Sequence, residues 1–223
     1  MTVERTEANL DLQFYDSFKH TPSFIAKSTF FYIQGAGHFG CAADYYTHSE
    51  GYKSFLLLYT IKGKGYASYR SRNYEINQHQ LLFIDCEEEQ EYYTDKHDLW
   101  EMKWVHFYGC GSEGYFKIIY DNYGPVVQLA ENSLIPHYID EVIQLIKNAD
   151  RQLEVKASCL IMQMLTEIIL AGSQHQDQLK GYLHNSQVET ALDFIAQNYA
   201  VNISVNDIAH YRQQQHLPFY QAF

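Results

Sequence analysis

Cysteine is scarce in this sequence, and its four residues are widely spaced. Cys41, Cys86, Cys110 and Cys159 form no C-x-x-C pair, so the chain lacks the spacing typical of many metal-binding and redox sites. It has no apolar signal segment at its start, and no stretch approaches the roughly 18 uncharged apolar residues of a membrane span. These absences predict a soluble protein of a reducing cytoplasm, without a membrane partner.

Basic residues are also few. The chain of 223 residues has 16 lysines and arginines against 27 acidic residues, which gives a formal net charge of −11. This balance argues against nucleic-acid binding by the whole surface, because contact with phosphates needs clustered basic side chains. Tyrosine is abundant instead, with 20 residues beside 13 phenylalanines and 2 tryptophans. Such rings suit β-strands and pockets for polar ligands.

Residues 24–130 have the pattern of short strands separated by turns. The segments rich in aromatic and β-branched side chains are Thr29–Gln34, Phe55–Lys62, Tyr66–Arg70, Leu81–Asp85, Glu91–Thr94 and Leu99–Tyr108. Gly63–Gly65 and Asn77–His79 suit hairpin turns between them. This pattern predicts an all-β sandwich or barrel. Gly35–Gly40 matches G-x-G-x-x-G, but no helical pattern follows the third glycine, so we expect a loop and not a dinucleotide site.

Two later segments have helical periodicity. Apolar residues recur at spacings of three and four over Asn132–Lys147 and Leu153–Leu170, and the short connection predicts an antiparallel helix pair. The pair either packs onto the β region or forms a dimer interface. A polar linker, Gly172–Gly181, follows. Gln187–Tyr199 then has one apolar helical face, and Ser204–Asp207 forms a capping box that opens a second short helix.

No set of residues points to catalysis. The 11 histidines include no H-x-H pair, which a barrel enzyme that uses iron, manganese or zinc would place on one strand face. His97 and Glu101 are a weak pair of metal ligands, and no Ser/His/Asp or Cys/His set is recognisable. We therefore expect no enzyme activity, no metal and no cofactor. A metal-dependent enzyme, an isomerase or a dioxygenase, is the alternative.

An aromatic and polar strand surface is the candidate binding site. Alternation over Leu99–Tyr108 places four side chains on one face, namely Trp100, Met102, Trp104 and His106. Gln90 and Tyr92 share a face of the preceding short strand. If both faces point into a small barrel, the rings stack on a sugar and the polar groups bond its hydroxyls. The alternative is that these rings only fill the core.

Three strand segments and one late segment resemble a known family. Leu57–Gly65, Leu81–Asp85 and Trp100–Gly109 resemble the sensor domain of AraC-type transcription regulators, and Val188–Ala209 resembles the start of their DNA-binding region. The resemblance implies a mainly β plus α chain with a cupin-like β-barrel (double-stranded β-helix) that binds a small effector, commonly a sugar. It also implies a helix pair used for dimerisation, followed by DNA-binding helix-turn-helix units.

The resemblance further implies individual site residues. In a sugar-responsive member of the family, an N-terminal arm closes over the sugar, an arginine contacts it and a tryptophan stacks on it. Trp104 matches this tryptophan and Tyr92 matches a pocket tyrosine, while Gln90 stands in place of a pocket histidine. His48 falls where the arginine would be. The arm would lie within Asn9–Lys27, with the apolar rings Phe14, Tyr15 and Phe18 over the ligand.

The resulting expectation is a cytoplasmic, sugar-sensing homodimer. Its parts are an arm at 1–22, a cupin-like barrel at 23–130, a dimerisation helix pair at 131–172, a linker at 173–186 and an incomplete helix-turn-helix region at 187–223. After Ala209 the sequence departs from the family, and Lys180 and Arg212 are the only basic residues after position 172. We therefore expect weak or absent DNA binding. A non-sugar effector is the alternative, because the acidic run Glu87–Glu91 would favour a cationic ligand.

Overall fold

The computed structural model describes residues 5–109, 111–173, 191, 194–199 and 203–207. The chain divides into two units, Met1–His175 and Gln176–Phe223. Eleven strands and four helices follow one another in the described part of the first unit. No helix within the described ranges is long and apolar enough to cross a membrane.

The strands form two antiparallel sheets. In chain order they are β1 (Arg5–Asn9), β2 (Leu12–Lys19), β3 (Phe31–Cys41), β4 (Tyr46–Glu50), β5 (Phe55–Lys62), β6 (Gly65–Tyr69), β7 (Arg72–Ile76), β8 (Gln80–Asp85), β9 (Gln90–Thr94), β10 (Glu101–Gly109) and β11 (Val126–Gln128). The first sheet has the order β1-β4-β9-β6-β7, and the second has the order β11-β8-β5-β10-β3-β2. This architecture is the mainly β arrangement that the sequence predicts.

Four helices complete the first unit: α1 (Phe24–Thr29), α2 (Ser112–Tyr123), α3 (Ile135–Lys147) and α4 (Leu153–Ser173). The helices predicted at 132–147 and 153–170 are confirmed as α3 and α4, which pack against each other. The expectation of strands alone over 24–130 is wrong at α1 and α2. The Ser23 hydroxyl caps α1 by accepting the Ala26 N–H at 3.1 Å. In α2, Phe116 and Ile119 are buried one turn apart, so packing fixes this short helix.

Strand β5 lies in the middle of the second sheet and is covered on both faces. Every residue from Phe55 to Thr60 is buried. The Phe55 ring packs on Phe116 of α2, with ring centroids 5.1 Å apart. On the other face, the Thr60 hydroxyl accepts the Trp100 indole N–H at 3.0 Å. Burial on both faces explains why this strand is a continuous apolar run and does not alternate.

Strand β3 contradicts the prediction of a glycine loop. Gly35, Gly37 and Gly40 lie inside this strand, and none of them has a positive φ. The glycines leave room for aromatic rings, because a Cβ on Gly37 would lie 2.7 Å from the Trp104 ring and one on Gly40 would overlap the Phe14 ring. The strand therefore continues well beyond the predicted Thr29–Gln34, through glycines that propensity alone would assign to a turn.

The described part of the second unit is helical at 194–198 and 205–207. The predicted capping box is confirmed. The Ser204 N–H donates to the Asp207 carboxylate at 2.8 Å, and the Asp207 N–H donates to the Ser204 hydroxyl at 3.3 Å. The other residues of the predicted helix-turn-helix region, with Lys180 and Arg212, lie outside the described residues, as does Cys110.

Candidate functional site

A cavity of about 350 Å³ lies between the two sheets, and this volume is in the range of small-molecule sites. Its lining residues are Thr6, Ala8, Leu10, Ser17, Lys19, Gln34, Gly35, Phe39, Tyr45, Thr47, Ser49, Tyr52, Leu58, Cys86, Gln90, Tyr92, Met102, Trp104 and His106. The first sheet supplies mostly hydroxyls and amides, while the second supplies the largest rings. We call this space the inter-sheet cavity.

Trp104 is the largest side chain of the cavity wall. Its ring packs on the bare backbone of β3 at Gly35 and Gly37 and meets Phe39 edge to face at 5.4 Å between ring centroids. These contacts fix the ring in one orientation. The indole Nε1 is buried and has no hydrogen-bond partner among the described residues. Trp104, a residue of the cavity wall, therefore has an indole N–H without a partner in the described part of the chain.

The opposite wall contains an unused acceptor. Gln90 is buried, and its Nε2 donates to the Ser49 hydroxyl at 2.7 Å. This hydrogen bond leaves the Gln90 Oε1 buried, with no partner in the described part of the chain. Tyr92 and Tyr45 also line the cavity, with ring centroids 6.5 Å apart, and burial raises the pKa of both phenols well above the usual value. This wall thus presents a free amide oxygen next to neutral phenol groups.

His106 and Cys86 are the nitrogen and sulfur groups of the cavity. Burial lowers the pKa of His106 to about 4, so its imidazole is neutral at physiological pH. Its Nδ1 lies 3.1 Å from the Ser54 hydroxyl and 3.9 Å from the Cys86 sulfur. Burial raises the pKa of the Cys86 thiol, which keeps it protonated and poorly nucleophilic. Lys19 is the one charged residue among the described lining residues, and no carboxylate lines the cavity.

The N-terminal segment forms part of the cavity wall, but through residues other than those predicted. Strand β1 pairs with β4, and β2 pairs with β3. The sequence-based placement of Phe14 and Tyr15 over the ligand is wrong. The Phe14 ring lies on Gly40 and meets His38 at 5.1 Å, and Tyr15 is 71% exposed. Neither residue lines the cavity.

His48 also lies outside the cavity, contrary to the sequence-based placement. Successive side chains of a strand point to opposite faces, and on β4 it is Thr47 and Ser49 that line the cavity. His48 points the other way, and its Nε2 lies 3.0 Å from the Glu89 carboxylate. A shift of one residue along a strand changes the face, so the match of His48 to the family's arginine does not put its side chain in the cavity.

The other sequence-derived residues come together around the cavity. Gln90, Tyr92, Met102, Trp104 and His106 all line it, and their role in binding stays a prediction. Trp100, expected on the same face, is fully buried in the core.

Sequence reasoning missed Tyr45 and Thr47, because no strand was predicted over residues 41–50. The polar residues Thr47 and Ser49 are two positions apart, and this spacing indicates that they share one face of a strand. Among the described residues, no group of three or more His, Cys, Asp or Glu side chains is arranged to hold a metal ion.

Several solved structures are similar to this chain. A cupin superfamily protein from Desulfitobacterium hafniense has 13% identity and a TM-score of 0.32, over 42% of this chain and 77% of that chain. The Cnp3 cupin domain from Schizosaccharomyces pombe has 9% identity and a TM-score of 0.33, over 48% and 88%. YhaK from Escherichia coli has 11% identity and a TM-score of 0.39, over 45% and 47%, so the chain spans about half the length of YhaK.

Comparison with curated proteins gives no match. The family described as "AraC-like ligand binding domain" matches residues 32–165, which is more than half of the chain. This match agrees with the two antiparallel sheets, the helices beside them and the cavity between the sheets, and the fold is cupin-like. The chain therefore belongs to the family of AraC-like ligand-binding domains.

Proposed function

We propose that this chain is the effector-sensing part of an AraC-type transcription regulator and that a sugar binds in the inter-sheet cavity. One observation carries the proposal: Trp104 Nε1 and Gln90 Oε1 are buried there without partners in the described part of the chain. An unsatisfied buried polar group costs about 1–3 kcal/mol. A bound ligand that pairs with both atoms would remove this cost.

A sugar hydroxyl fits this pair of atoms because it both donates and accepts hydrogen bonds. The Trp104 indole N–H would donate a hydrogen bond to one hydroxyl oxygen, and the Gln90 carbonyl oxygen would accept a hydrogen bond from another hydroxyl. The apolar faces of the sugar ring would lie against Trp104 and Phe39. The neighbouring Ser49 and Thr47 hydroxyls are further hydrogen-bond partners. A ligand with several hydroxyl groups would therefore form more hydrogen bonds with the wall than an apolar ligand.

The protonation states in the cavity support binding without a reaction. His106 is neutral, the Cys86 thiol is protonated, and the buried phenols of Tyr45 and Tyr92 keep their protons at neutral pH. A general base or nucleophile needs a pKa matched to its task. The lowered pKa makes His106 a weak base, and the raised pKa values keep the thiol and the phenols in their less nucleophilic protonated forms. This set of shifts favours a sensor.

The N-terminal strands give a route by which the ligand could change the rest of the first unit. Ser17 and Lys19 of β2 line the cavity. A few residues later, the Ser23 N–H and hydroxyl donate to the Glu154 carboxylate of α4 at 2.6 and 2.7 Å. A ligand that favours one arrangement of β2 would therefore bias the position of α4.

We also propose that α4 forms the interface of a homodimer. Val155, Cys159, Met162 and Thr166 are exposed and follow one another at alternating spacings of four and three residues. This spacing is typical of the seam between two packed helices. Val155 is 58% exposed and Met162 is 40% exposed, so the seam leaves apolar surface for a second copy of the chain.

Thermal unfolding with a panel of mono- and oligosaccharides tests the binding proposal. A ligand at about 100 times its Kd adds about 2.7 kcal/mol of stability, which is a Tm rise of roughly 5–10 °C for a protein of this size. We expect Trp104→Ala to abolish the rise and Tyr15→Ala, at an exposed ring outside the cavity, to retain it. A folded Trp104→Ala variant that keeps the full shift would contradict the proposal.

Sedimentation velocity tests the dimer proposal. We expect the wild-type chain to sediment as a dimer at micromolar concentration, and the double variant Val155→Asp, Met162→Asp to sediment as a monomer. Gln163→Asp is the matched control, because this exposed residue lies on α4 next to the seam but not in it. A monomeric wild-type chain, or a dimeric double variant, would refute the α4 interface.

A further inference from the structure

A second depression adjoins the inter-sheet cavity, and its charged side chains are basic. It has a volume of about 360 Å³, and its walls include Lys19, Lys27, Lys53 and His20. We call it the lysine cleft. It shares Lys19, Gln34 and Tyr52 with the inter-sheet cavity. One molecule could therefore occupy both spaces.

The three lysines have no carboxylate partner among the described residues. Elsewhere in the first unit, Lys64, Lys103 and Lys147 each lie within ion-pair distance of an acidic side chain. No such pair is present for Lys19 or Lys27. Lys53 lies over the Tyr108 ring at 4.9 Å, which leaves the positive charge without a neutralising partner. The chain has a net charge of −11. Three lysines without ion-pair partners at one cleft nevertheless create a local positive potential, which attracts anions.

The Glu154 carboxylate, beside His20 of the cleft, is already engaged. Glu154 accepts both hydrogen bonds from Ser23 and lies 3.5 Å from the His20 ring. At the junction with the inter-sheet cavity, Gln34 donates its Nε2 hydrogen to the Lys53 carbonyl at 3.1 Å. Its Oε1 is buried without a partner in the described ranges. A ligand hydroxyl that reaches through the junction would satisfy this oxygen.

We propose that the effector is anionic: a phosphate or carboxylate group binds Lys19, Lys27 and Lys53 in the lysine cleft while its hydroxylated part fills the inter-sheet cavity. This inference rests on the proposed function and narrows it to sugar phosphates or sugar acids. Lysine ammonium groups bind phosphates and carboxylates through charge-assisted hydrogen bonds. No carboxylate is among the described lining residues of either space, and Glu154, which lies beside His20, is already hydrogen-bonded to Ser23.

Titration with pyrophosphate tests the cleft by itself. At low ionic strength we expect saturable binding by the wild-type chain with a Kd in the millimolar range, observed by calorimetry. The variant Lys19→Gln, Lys27→Gln, Lys53→Gln should bind about ten-fold more weakly or not at all. The control Lys62→Gln, Lys96→Gln, Lys117→Gln has the same change in net charge and should keep the wild-type affinity. Equal affinity in all three proteins, or no saturable wild-type binding, would overturn the inference.

Matched sugars then separate this inference from the proposed function. Glucose, glucuronate and glucose 6-phosphate, and the corresponding sets for other aldoses, are compared by thermal shift. We expect the anionic members to stabilise the protein more, and the cleft variant to lose this advantage. Comparison of the phosphate-bearing with the carboxylate-bearing sugars shows which anionic group the cleft prefers. If a neutral sugar stabilises the protein as much as its anionic partners, the inference fails and the proposed function stands. If pyrophosphate binds but Trp104→Ala leaves every sugar shift unchanged, the proposed function fails.

Discussion

The two faces of β10 have similar aromatic side chains but different surroundings. On one face, Phe107 packs against Phe31, Phe55 and Phe83, with ring centroids 6.0 to 6.3 Å apart. Phe116 of α2 packs against Phe55 and Phe83 at 5.1 and 5.3 Å, and we call these five rings the helix-side cluster. On the other face, Met102, Trp104 and His106 border the inter-sheet cavity. Both faces are rich in aromatic rings. One is filled by its own side chains, and the other leaves space.

The polar atoms explain this difference. The helix-side cluster consists of phenylalanines, which need no hydrogen-bond partner, so close packing satisfies them completely. The cavity side has an indole N–H and an amide oxygen that lack partners in the described part of the chain. Groups of this kind are rare in protein interiors. The indole N–H belongs to β10 and the amide oxygen to β9 of the other sheet, and we propose that a ligand between the two sheets pairs with both.

The largest expected effect is on the helix-side cluster. Phe107→Ala should lower the free energy of unfolding by about 3–5 kcal/mol, because the ring is fully buried and leaves an unfilled hole. Trp104→Ala should lower it by less, since that ring already borders open space. Urea denaturation of both variants measures the difference. If Trp104→Ala proves the more damaging change, the distinction between the two faces is wrong.

The next effect is a pH dependence that originates on the cavity side. The folded state holds the pKa of His106 at about 4, below the unfolded value of about 6.5. The unfolded chain therefore takes up the proton first, and stability falls as pH drops from about 6.5 towards 4. We expect a loss of up to about 2 kcal/mol between pH 7 and pH 5 from this residue.

The variant His106→Gln isolates that contribution. It cannot take up the proton, so its stability difference between pH 7 and pH 5 should be smaller than that of the wild-type chain. Most carboxylates remain ionised at pH 5 and contribute little over this interval. Urea denaturation at the two pH values provides the measurement. An unchanged difference in the variant would assign the pH dependence to other groups.

A smaller effect is expected where β3 supports the Trp104 ring. Gly37→Ala places a methyl group about 2.7 Å from that ring and 3.0 Å from the Asp16 carbonyl oxygen, which is closer than van der Waals contact allows. We expect a loss of about 1–2 kcal/mol from overpacking and a reduced thermal shift with any sugar that binds. A shift of wild-type size would indicate that the orientation of Trp104 is not important for binding. Gly114→Ala is the control, because a methyl group there meets nothing within 4 Å.

The smallest effect is expected at His48. This side chain points away from the cavity and lies against the exposed Glu89, and such surface pairs contribute little. His48→Ala should change the free energy of unfolding by less than about 0.5 kcal/mol and leave every ligand-induced shift in place. Loss of the ligand-induced thermal shift in this variant would indicate that His48 takes part in binding.

The sequence predicts the strands of the β region better than the faces of its N-terminal part. Predicted strand 55–62 agrees with β5, because burial on both faces leaves a long apolar run. Alternation also places Met102, Trp104 and His106 on one wall. Phe14, Tyr15 and His48 were placed by the family resemblance, and the structure puts all three outside the cavity. A bulge or a shift of one residue changes the face of a strand, and neither has a local signal. Only the first part of β3 was predicted, as Thr29–Gln34. Its continuation through Gly35–Cys41 was missed because the glycines there make room for the rings of Trp104 and Phe14, which are distant in sequence.

The two indole N–H groups provide the most direct test of the account. The chain has 2 tryptophans. The Trp100 Nε1–H already donates to Thr60, whereas the Trp104 Nε1–H has no partner in the described residues. In a ¹H–¹⁵N spectrum, we expect the sugar or sugar derivative that stabilises the protein most to shift the Trp104 indole signal and leave that of Trp100 in place. A ligand that stabilises the chain while both indole signals stay unmoved would contradict binding in the inter-sheet cavity.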